Sequence, residues 1–286
     1  YRRNTLPLSG WARMADRLQA PRILAIAGSD SSGGAGIQAD IKTVTMLGGY
    51  AMTAITAVTA QNTIGVQNVE VFGTNFVLEQ VESCLSDIGA DAIKIGMLGS
   101  PEIALALAER LKSFAGAIVF DPVMVSTSGA ILADDHTVEA FSALMQIATV
   151  VTPNLPELAA LTGRAEIPSD EIFNAARQLA DAQDAIVLAK GGHADGDQVI
   201  DYVVSASGKI ASFGHERIET NHTHGTGCTL SSALATMLAH GQPLTHAVRI
   251  ARAFTRAAIE NAPGYGHGNG PLGHQSVRKL EPGEAL

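Results

Sequence analysis

Residues 219–231, ETNHTHGTGCTLS, form a glycine-rich stretch that runs directly into a series of small and apolar residues. Apolar residues recur at helical spacing up to about Ala239, which predicts a helix that begins within this stretch. The first backbone N–H groups of a helix lack intrahelical partners and carry positive partial charge, and glycine lets an anion approach them closely. Gly225–Cys228 therefore predict an anion-binding loop, with a simple glycine cap on a core helix as the alternative.

Cys228 falls in the first turn of the predicted helix, where the helix dipole lowers the pKa of a thiol and favours the thiolate. A base beside an anion site is what phosphoryl transfer to a hydroxyl group requires. Two other uses of the cysteine stay open. It could be the nucleophile of a hydrolase with His224 as its base. It could also bind zinc with His222 and His224, although only three ligands cluster there.

The composition is that of an acidic chain with a large core: 286 residues, a formal net charge of −9 and 46% hydrophobic residues. No linker or charge block divides it, so we expect one domain, 21–263. A flexible extension, 1–20, with Met14 as the expected start, precedes it, and a loose Gly/His-rich tail, 264–286, follows. The acidic balance argues against nucleic-acid binding, and no apolar run predicts a membrane span. Two cysteines are too few for a disulfide framework, which fits a reduced, cytoplasmic setting.

Upstream of the loop, short apolar runs alternate with segments of helical periodicity. The predicted strands are 22–27, 50–60, 91–96, 117–120, 149–152 and 185–189, followed by a hairpin of 201–204 and 209–213. One predicted helix follows the first strand and ends near 47. Four others cover about 76–88, 101–113, 134–147 and 169–182. Strands that alternate with helices form a largely parallel sheet covered on both faces. We therefore predict an α/β fold with three layers, α/β/α.

A glycine-rich turn follows the first predicted strand, and Gly34–Ala39 (GAGIQA) fits the dinucleotide fingerprint GxGxxA. That fingerprint needs an acidic residue about 20 positions further on, and residues 52–62 contain none. The Walker pattern GxxxxGK[ST] does not occur in the chain. The sequence therefore predicts neither a nicotinamide or flavin site nor a P-loop.

Polar side chains follow three of the predicted strands. Asp121 stands at the carboxyl end of a strand, where open α/β sheets bind their ligands. Lys190 follows another buried strand, where a lysine needs an anionic partner. Between them, Asn154 and Glu157 fit a helix N-cap with an acid in the first turn.

Seven motifs make the chain resemble the hydroxymethylpyrimidine (phosphate) kinases of thiamine biosynthesis, in the ribokinase-like superfamily. They are AGSDSSGGAGIQADIKT (27–43), AQNT (60–63), KIGM (94–97), DPVMV (121–125), TPNLPE (152–157), KGGH (190–193) and THGTGCTLS (223–231). The resemblance runs from about Pro21 to Pro263. It implies a ribokinase-like fold, ATP and Mg²⁺, phosphorylation of 4-amino-5-hydroxymethyl-2-methylpyrimidine and then of its monophosphate, and a homodimer. Thr127 and His222 depart from the family, which commonly has lysine and asparagine there.

The resemblance also implies residue roles. Cys228 would be the base, and the amides of Gly225, Thr226 and Gly227 would hold developing charge. The substrate contacts would be Gly28, Asp40, Gln61 and Met97. Asn154, Lys190 and Thr226 would contact the ATP phosphates, and Asp121 and Glu157 would hold the metal.

Simpler readings of the substrate contacts stay open. Taken alone, Asp40 is a solvated helix carboxylate, Met97 is packing and Gln61 caps its turn. A carboxamide such as that of Gln61 pairs well with an aminopyrimidine edge, which offers a donor beside an acceptor. Two other functions remain as alternatives: a pyridoxal kinase of the same superfamily and a non-catalytic pyrimidine-binding module.

Overall fold

The computed structural model describes residues 19–126, 129–194 and 196–277. Their strands are β1 (Arg22–Asp30), β2 (Tyr50–Gln61), β3 (Val66–Val71), β4 (Ala92–Ile95), β5 (Ala117–Phe120), β6 (Val150–Val151), β7 (Ile186–Ala189), β8 (Gln198–Ser205) and β9 (Gly208–Glu216). The helices are α1 (Gly36–Met46), α2 (Thr74–Asp87), α3 (Pro101–Leu111), α4 (Asp135–Met145), α5 (Leu155–Leu161), α6 (Ile172–Gln183), α7 (Thr226–Ala239) and α8 (Leu244–Glu260).

All strands belong to one nine-stranded sheet, in the order β3-β2-β1-β4-β5-β6-β7-β8-β9. The six central strands, which are β2, β1, β4, β5, β6 and β7 in spatial order, pair in parallel. The antiparallel pairs lie at the two edges, where β3 joins β2 and the β8–β9 hairpin joins β7. The prediction of a largely parallel α/β sheet is therefore confirmed.

Two hydrophobic cores lie on opposite faces of the sheet because successive strand side chains point to opposite faces. Leu24 of β1 packs in the core that holds the apolar sides of α2 to α6. Its neighbour Ile23 packs in the other core, with α7 and α8. Helix α7 is buried over nine consecutive residues, 229–237. It thus runs through the interior of that layer, and its N-terminus lies at the carboxyl ends of the parallel strands.

Strand β3 is missing from the sequence prediction. Its sequence, VQNVEV, has no fully buried residue, because the strand lies at the sheet edge and is open on one side. A half-exposed edge strand lacks the continuous apolar run by which the central strands were recognised.

The expectation of a loose tail from Gly264 is wrong for the part that the structure describes. The N–H of Asn269 donates to the carbonyl oxygen of Thr63 at 2.9 Å, and the N–H of His224 donates to that of Gly270 at 3.1 Å. This segment is held by its backbone, which composition does not reveal. Residues 278–286 and 1–18, including Met14, lie outside the described residues, so the domain limits stay predictions. No described helix is both long enough and apolar enough to span a membrane.

Candidate active site

The candidate site lies at the carboxyl ends of the parallel strands, as expected for an open α/β sheet. Gln61 ends β2, Asp121 follows β5 and Lys190 follows β7. The ammonium group of Lys190 lies 2.8 Å from Oδ1 of Asp121 and 3.7 Å from Oε2 of Glu157. The structure therefore provides the anionic partners that the sequence predicted for this lysine.

Asp121 is almost fully buried and is held from several sides. Besides Lys190, its Oδ1 accepts from the Thr152 hydroxyl at 3.0 Å, and its Oδ2 accepts from the Ser231 hydroxyl at 3.3 Å. Burial acts to raise the pKa of Asp121, but the ammonium groups of Lys190 and Lys94 outweigh it and hold the pKa below its usual value. The carboxylate is therefore charged and fixed in place.

Asn154 and Glu157 form a capping box at the start of α5. Oδ1 of Asn154 accepts from the N–H of Glu157 at 2.9 Å, and the N–H of Asn154 donates to Oε2 of Glu157 at 2.7 Å. The predicted N-cap is confirmed. Burial raises the pKa of Glu157 to about 7, against the opposing effect of Lys190.

The carboxylate oxygens here fit a Mg²⁺ ion that is held partly by phosphate and water. They do not fit a metal ion whose ligands all come from the protein. Mg²⁺ usually binds through one or two carboxylates together with substrate phosphates and water. Asp121 and Glu157 provide two carboxyl groups within 3.7 Å of Nζ of Lys190. The described residues contain no group of three or more His, Cys, Asp or Glu side chains arranged for a metal. The arrangement thus suits a metal that arrives with a phosphate ligand.

The glycine-rich loop places the N-terminus of α7 over the Asp121–Lys190 pair. A Cβ atom on Gly227 would lie 3.3 Å from Nζ of Lys190 and 3.4 Å from Oδ2 of Asp121. Gly225 has φ +86°, and a Cβ atom there would lie 1.9 Å from the Gly34 carbonyl oxygen. The hydroxyl of Thr226 donates to the carbonyl oxygen of Thr223 at 2.7 Å, which stabilises the turn. The backbone N–H of Thr226 donates to the same carbonyl oxygen at 3.2 Å. The amide of Gly227 at the start of α7 and the ammonium group of Lys190 therefore border one space.

Cys228 is only partly exposed, in the first turn of α7. Burial raises the pKa of its thiol to about 11, and Asp40 and Asp121 raise it further, although Lys94 and the N–H of Gly36 act to lower it. The prediction of a lowered thiol pKa is wrong because desolvation and two carboxylates outweigh the helix dipole. In the unliganded chain Cys228 is a neutral thiol at pH 7.

Below the cysteine lies a buried ion pair that the sequence did not reveal. Asp40 and Lys94 have no exposed side-chain surface, and Nζ of Lys94 lies 2.9 and 3.0 Å from the two carboxylate oxygens. The Ser232 hydroxyl also donates to Asp40 at 2.6 Å. The interpretation of Asp40 as a solvated carboxylate is therefore wrong. Both oxygens are occupied within the protein, so its contact with substrate stays a prediction.

We expect Lys94→Met to lower the free energy of unfolding by about 3–5 kcal/mol, because it leaves the Asp40 carboxylate buried and unpaired. Denaturation in urea measures this. The matched control is Arg22→Met, which breaks an ion pair with Asp91 that is more than a third exposed, and should lose much less. A loss in Lys94→Met no larger than in the control would contradict the expectation.

Gly28, Met97 and Gln61 are the other residues that the sequence predicted to contact substrate. A Cβ atom on Gly28 would lie 3.0 Å from Sδ of Met97, so these two residues are neighbours. Gln61 is half-buried, and its backbone N–H donates to the Ser31 hydroxyl at 2.9 Å. Its side-chain amide lies 3.3 Å from Nε2 of His224. The structure thus brings the predicted substrate residue Gln61 beside the anion loop.

Asp30 and His224 are site residues whose pairing the sequence reasoning missed. Oδ2 of Asp30 lies 2.8 Å from Nε2 of His224 and accepts the N–H groups of Gly34 and Ala35. Burial acts to raise the pKa of Asp30, but His224, Ser32 and Ala35 lower it to about 2. An Asp before Ser-Ser-Gly-Gly is a typical turn signal, but its pairing with His224, 194 residues further on, is not visible in the sequence.

The chain has Thr127 and His222 where the family commonly has lysine and asparagine. Thr127 lies outside the described residues. His222 is half-buried against the ordered tail, where a Cβ atom on Gly270 would lie 2.2 Å from its Nδ1. His222 is therefore part of the contact between the loop and the tail.

Comparisons with known proteins agree on one family. The model of the family described as phosphomethylpyrimidine kinase matches residues 30–273. The chain is 43% identical over 265 residues to the hydroxymethylpyrimidine/phosphomethylpyrimidine kinase of Haemophilus influenzae, covering 91% of this chain and 98% of that protein. It is 40% identical over 267 residues to a thiamine biosynthesis multifunctional protein of Corynebacterium efficiens, covering 92% of this chain but only 36% of that longer protein.

Solved structures have the same fold. An ADP complex of Bacillus subtilis pyridoxal kinase superimposes with a TM-score of 0.83 at 33% identity, covering 91% of this chain and 99% of that one. A phosphomethylpyrimidine kinase from Clostridium difficile superimposes with a TM-score of 0.73 at 40% identity, covering 84% of this chain and 99% of that one.

Proposed function

This chain belongs to the phosphomethylpyrimidine kinase family, and we propose that it transfers the γ-phosphoryl group of ATP to 4-amino-5-hydroxymethyl-2-methylpyrimidine and then to its monophosphate. The product would be the pyrimidine diphosphate used to make thiamine diphosphate. The observation that carries the proposal is the N-terminus of α7, with Gly227 and Cys228 in its first turn, set over the Lys190–Asp121 pair. An anion site beside a proton acceptor suits transfer of a phosphoryl group to a hydroxyl.

In this proposal the chain binds charge on one side and handles a proton on the other. The amides of Gly225 and Gly227 donate to the oxygens of the transferred phosphoryl group, and Lys190 adds a positive charge. The amide of Thr226 donates to the carbonyl oxygen of Thr223 in the unliganded chain and would have to leave it to join them. Asp121 and Glu157 would hold Mg²⁺, which would neutralise phosphate charge when bound. Asn154 keeps Glu157 in place through the capping box. The thiolate form of Cys228, a small fraction of the chains at pH 7 because the thiol pKa is about 11, accepts the proton of the substrate hydroxymethyl group.

Gln61 supports an aminopyrimidine as the substrate. Its planar amide provides a donor and an acceptor that match the exocyclic amino group and the ring nitrogen. Pyridoxal carries a phenolic oxygen and an aldehyde and cannot satisfy the amide equally. Pyridoxal still belongs in the assay, because the Bacillus subtilis neighbour is a pyridoxal kinase.

The experiment that tests the function is a coupled assay of ADP formation with ATP, Mg²⁺ and one acceptor at a time. The acceptors are the hydroxymethyl aminopyrimidine, its monophosphate, pyridoxal and ribose. We expect turnover with the first two. Faster turnover with pyridoxal would overturn the proposed substrate. Binding of the pyrimidine without ADP formation would show that the chain is a non-catalytic pyrimidine-binding module.

We expect Gln61→Leu to raise the KM for the aminopyrimidine about tenfold or more, because it removes one bidentate pair. The KM for ATP should hardly move, since nucleotide and pyrimidine occupy separate parts of the site. Gln67→Leu is the matched control, because Gln67 lies exposed on β3 and its side-chain amide donates to the carbonyl oxygen of Gly65. An unchanged pyrimidine KM in Gln61→Leu would remove Gln61 from the pocket.

We also propose that the chain acts as a cytoplasmic homodimer. The supporting feature is the open sheet edge at β3, where Val58 and Val71 on the paired strands are exposed. Exposed apolar side chains beside an open edge suit burial in an interface. Sedimentation equilibrium measures the mass, and a monomer at micromolar concentration would contradict the dimer.

A further inference from the structure

Asp30, His224 and Gln61 form a chain of polar contacts between the first glycine-rich turn and the anion loop. Nε2 of His224 lies 2.8 Å from Oδ2 of Asp30 and 3.3 Å from the terminal amide nitrogen of Gln61. On the other side of that amide, Oγ1 of Thr59 lies 3.2 Å from Oε1 of Gln61. The positions of the protons decide whether these contacts are compatible.

Asp30 requires a proton on Nε2 of His224. Its carboxylate already accepts from the N–H groups of Ser32, Gly34 and Ala35 and from the Ser32 hydroxyl. A carboxylate with these donors is ionised and can only accept. The neutral tautomer without a proton on Nε2 would set a lone pair against this carboxylate at 2.8 Å. His224 therefore donates from Nε2 whether it is neutral or charged.

A donor at Nε2 conflicts with an NH₂ group of Gln61 at 3.3 Å. The two ends of a carboxamide have the same shape, so hydrogen-bond partners must decide which end is oxygen. Half a turn of the Gln61 amide places Oε1 beside the N–H of His224. The same turn places NH₂ beside Thr59, whose only hydroxyl proton can go to the Ser29 carbonyl oxygen at 3.1 Å. In this orientation the one N–H of His224, which donates to Asp30 at 2.8 Å, can be shared with Oε1 of Gln61 in a three-centre hydrogen bond, and no donor faces another donor.

We propose that Asp30 and His224 are positioning residues that lock the Gln61 amide in this orientation, so that the site selects a 4-aminopyrimidine over a 4-oxopyrimidine. This inference rests on the proposed function. The locked amide presents its oxygen on the His224 side and its N–H on the Thr59 side. An aminopyrimidine offers a donor and an acceptor that match them. An oxopyrimidine offers the reverse pair, and to bind it Gln61 would have to turn NH₂ against the N–H of His224.

The test compares kcat/KM for the aminopyrimidine with that for its 4-oxo analogue, which carries the same methyl and hydroxymethyl groups. We expect the wild-type chain to prefer the amino compound by roughly tenfold to hundredfold, the discrimination typical of one bidentate pair. His224→Leu removes the N–H that orients the amide, so the preference should fall by about tenfold. Thr59→Val removes the acceptor at the other end and should lower the preference in the same direction.

The ratio separates a positioning role from a structural one. Damage to the fold lowers both kcat/KM values and leaves their ratio unchanged. His274→Leu is the matched control, since His274 is equally buried but bonds the Thr229 hydroxyl at 2.8 Å, and its ratio should equal that of the wild type. An unchanged ratio in both His224→Leu and Thr59→Val would overturn the lock alone. A wild-type chain that phosphorylates neither pyrimidine would overturn the proposed function and the lock together.

Discussion

Gly227→Val should lower kcat by roughly 10²–10³, the effect of losing one donor of an oxyanion-type site. The valine side chain would begin 3.3 Å from Nζ of Lys190 and 3.4 Å from Oδ2 of Asp121. It would fill the space in which the transferred phosphoryl group has to meet both the helix amides and the lysine. Steady-state kinetics with saturating ATP measure the loss.

The fold should survive this change, because Gly227 lies within α7 and its backbone does not have a positive φ. Gly225 differs: its φ is +86° and a Cβ atom would lie 1.9 Å from the Gly34 carbonyl oxygen, so its replacement would displace the loop. Gly214→Val is the control for the residue change itself, since a Cβ atom there meets nothing within 4 Å. A Gly227→Val chain with a wild-type circular dichroism spectrum and wild-type turnover would contradict the mechanism.

The parts of the site that the sequence predicted rest on local signals. The capping box of Asn154 and Glu157 is contained within four residues. Asp121 and Lys190 follow short apolar runs, and the rule that ligands bind at the carboxyl ends of parallel strands places them together without further information. Their roles in holding metal and phosphate remain predictions.

The parts that it did not predict rest on distant contacts. Lys94 looks like an interruption in a buried strand until Asp40, 54 residues away, becomes its partner. The backbone contacts of the tail join His267 and Gly268 to the Thr63 hydroxyl over more than 200 residues. The pKa of Cys228 depends on the carboxylates of Asp40 and Asp121, which are far from it in the sequence. A pattern within a short stretch of sequence cannot show contacts between residues that lie so far apart in the chain.

Cys228→Ser should lower kcat by about 10²–10⁴, the range for loss of a general base, and leave the KM for the pyrimidine nearly unchanged. Cys84→Ser is the matched control, because the Cys84 thiol lies half-buried on α2 and packs against the core of the other sheet face. Hydrolase chemistry would instead give a covalent intermediate on Cys228, which mass spectrometry of the intact protein detects. Wild-type turnover in Cys228→Ser would leave this residue as a part of the helix start only.

The dependence of kcat/KM on pH gives a second measure of the same role, because it reports the pKa values of the free enzyme. Burial raises the pKa of the Cys228 thiol to about 11, so at pH 7 only a small fraction is thiolate. If the thiolate accepts the proton, kcat/KM should rise about tenfold per pH unit from about pH 8 to 10, since each unit below the pKa reduces the thiolate tenfold. This rise should be absent in Cys228→Ser and kept in Cys84→Ser. A flat wild-type profile over this range would show that the substrate hydroxyl loses its proton to another group.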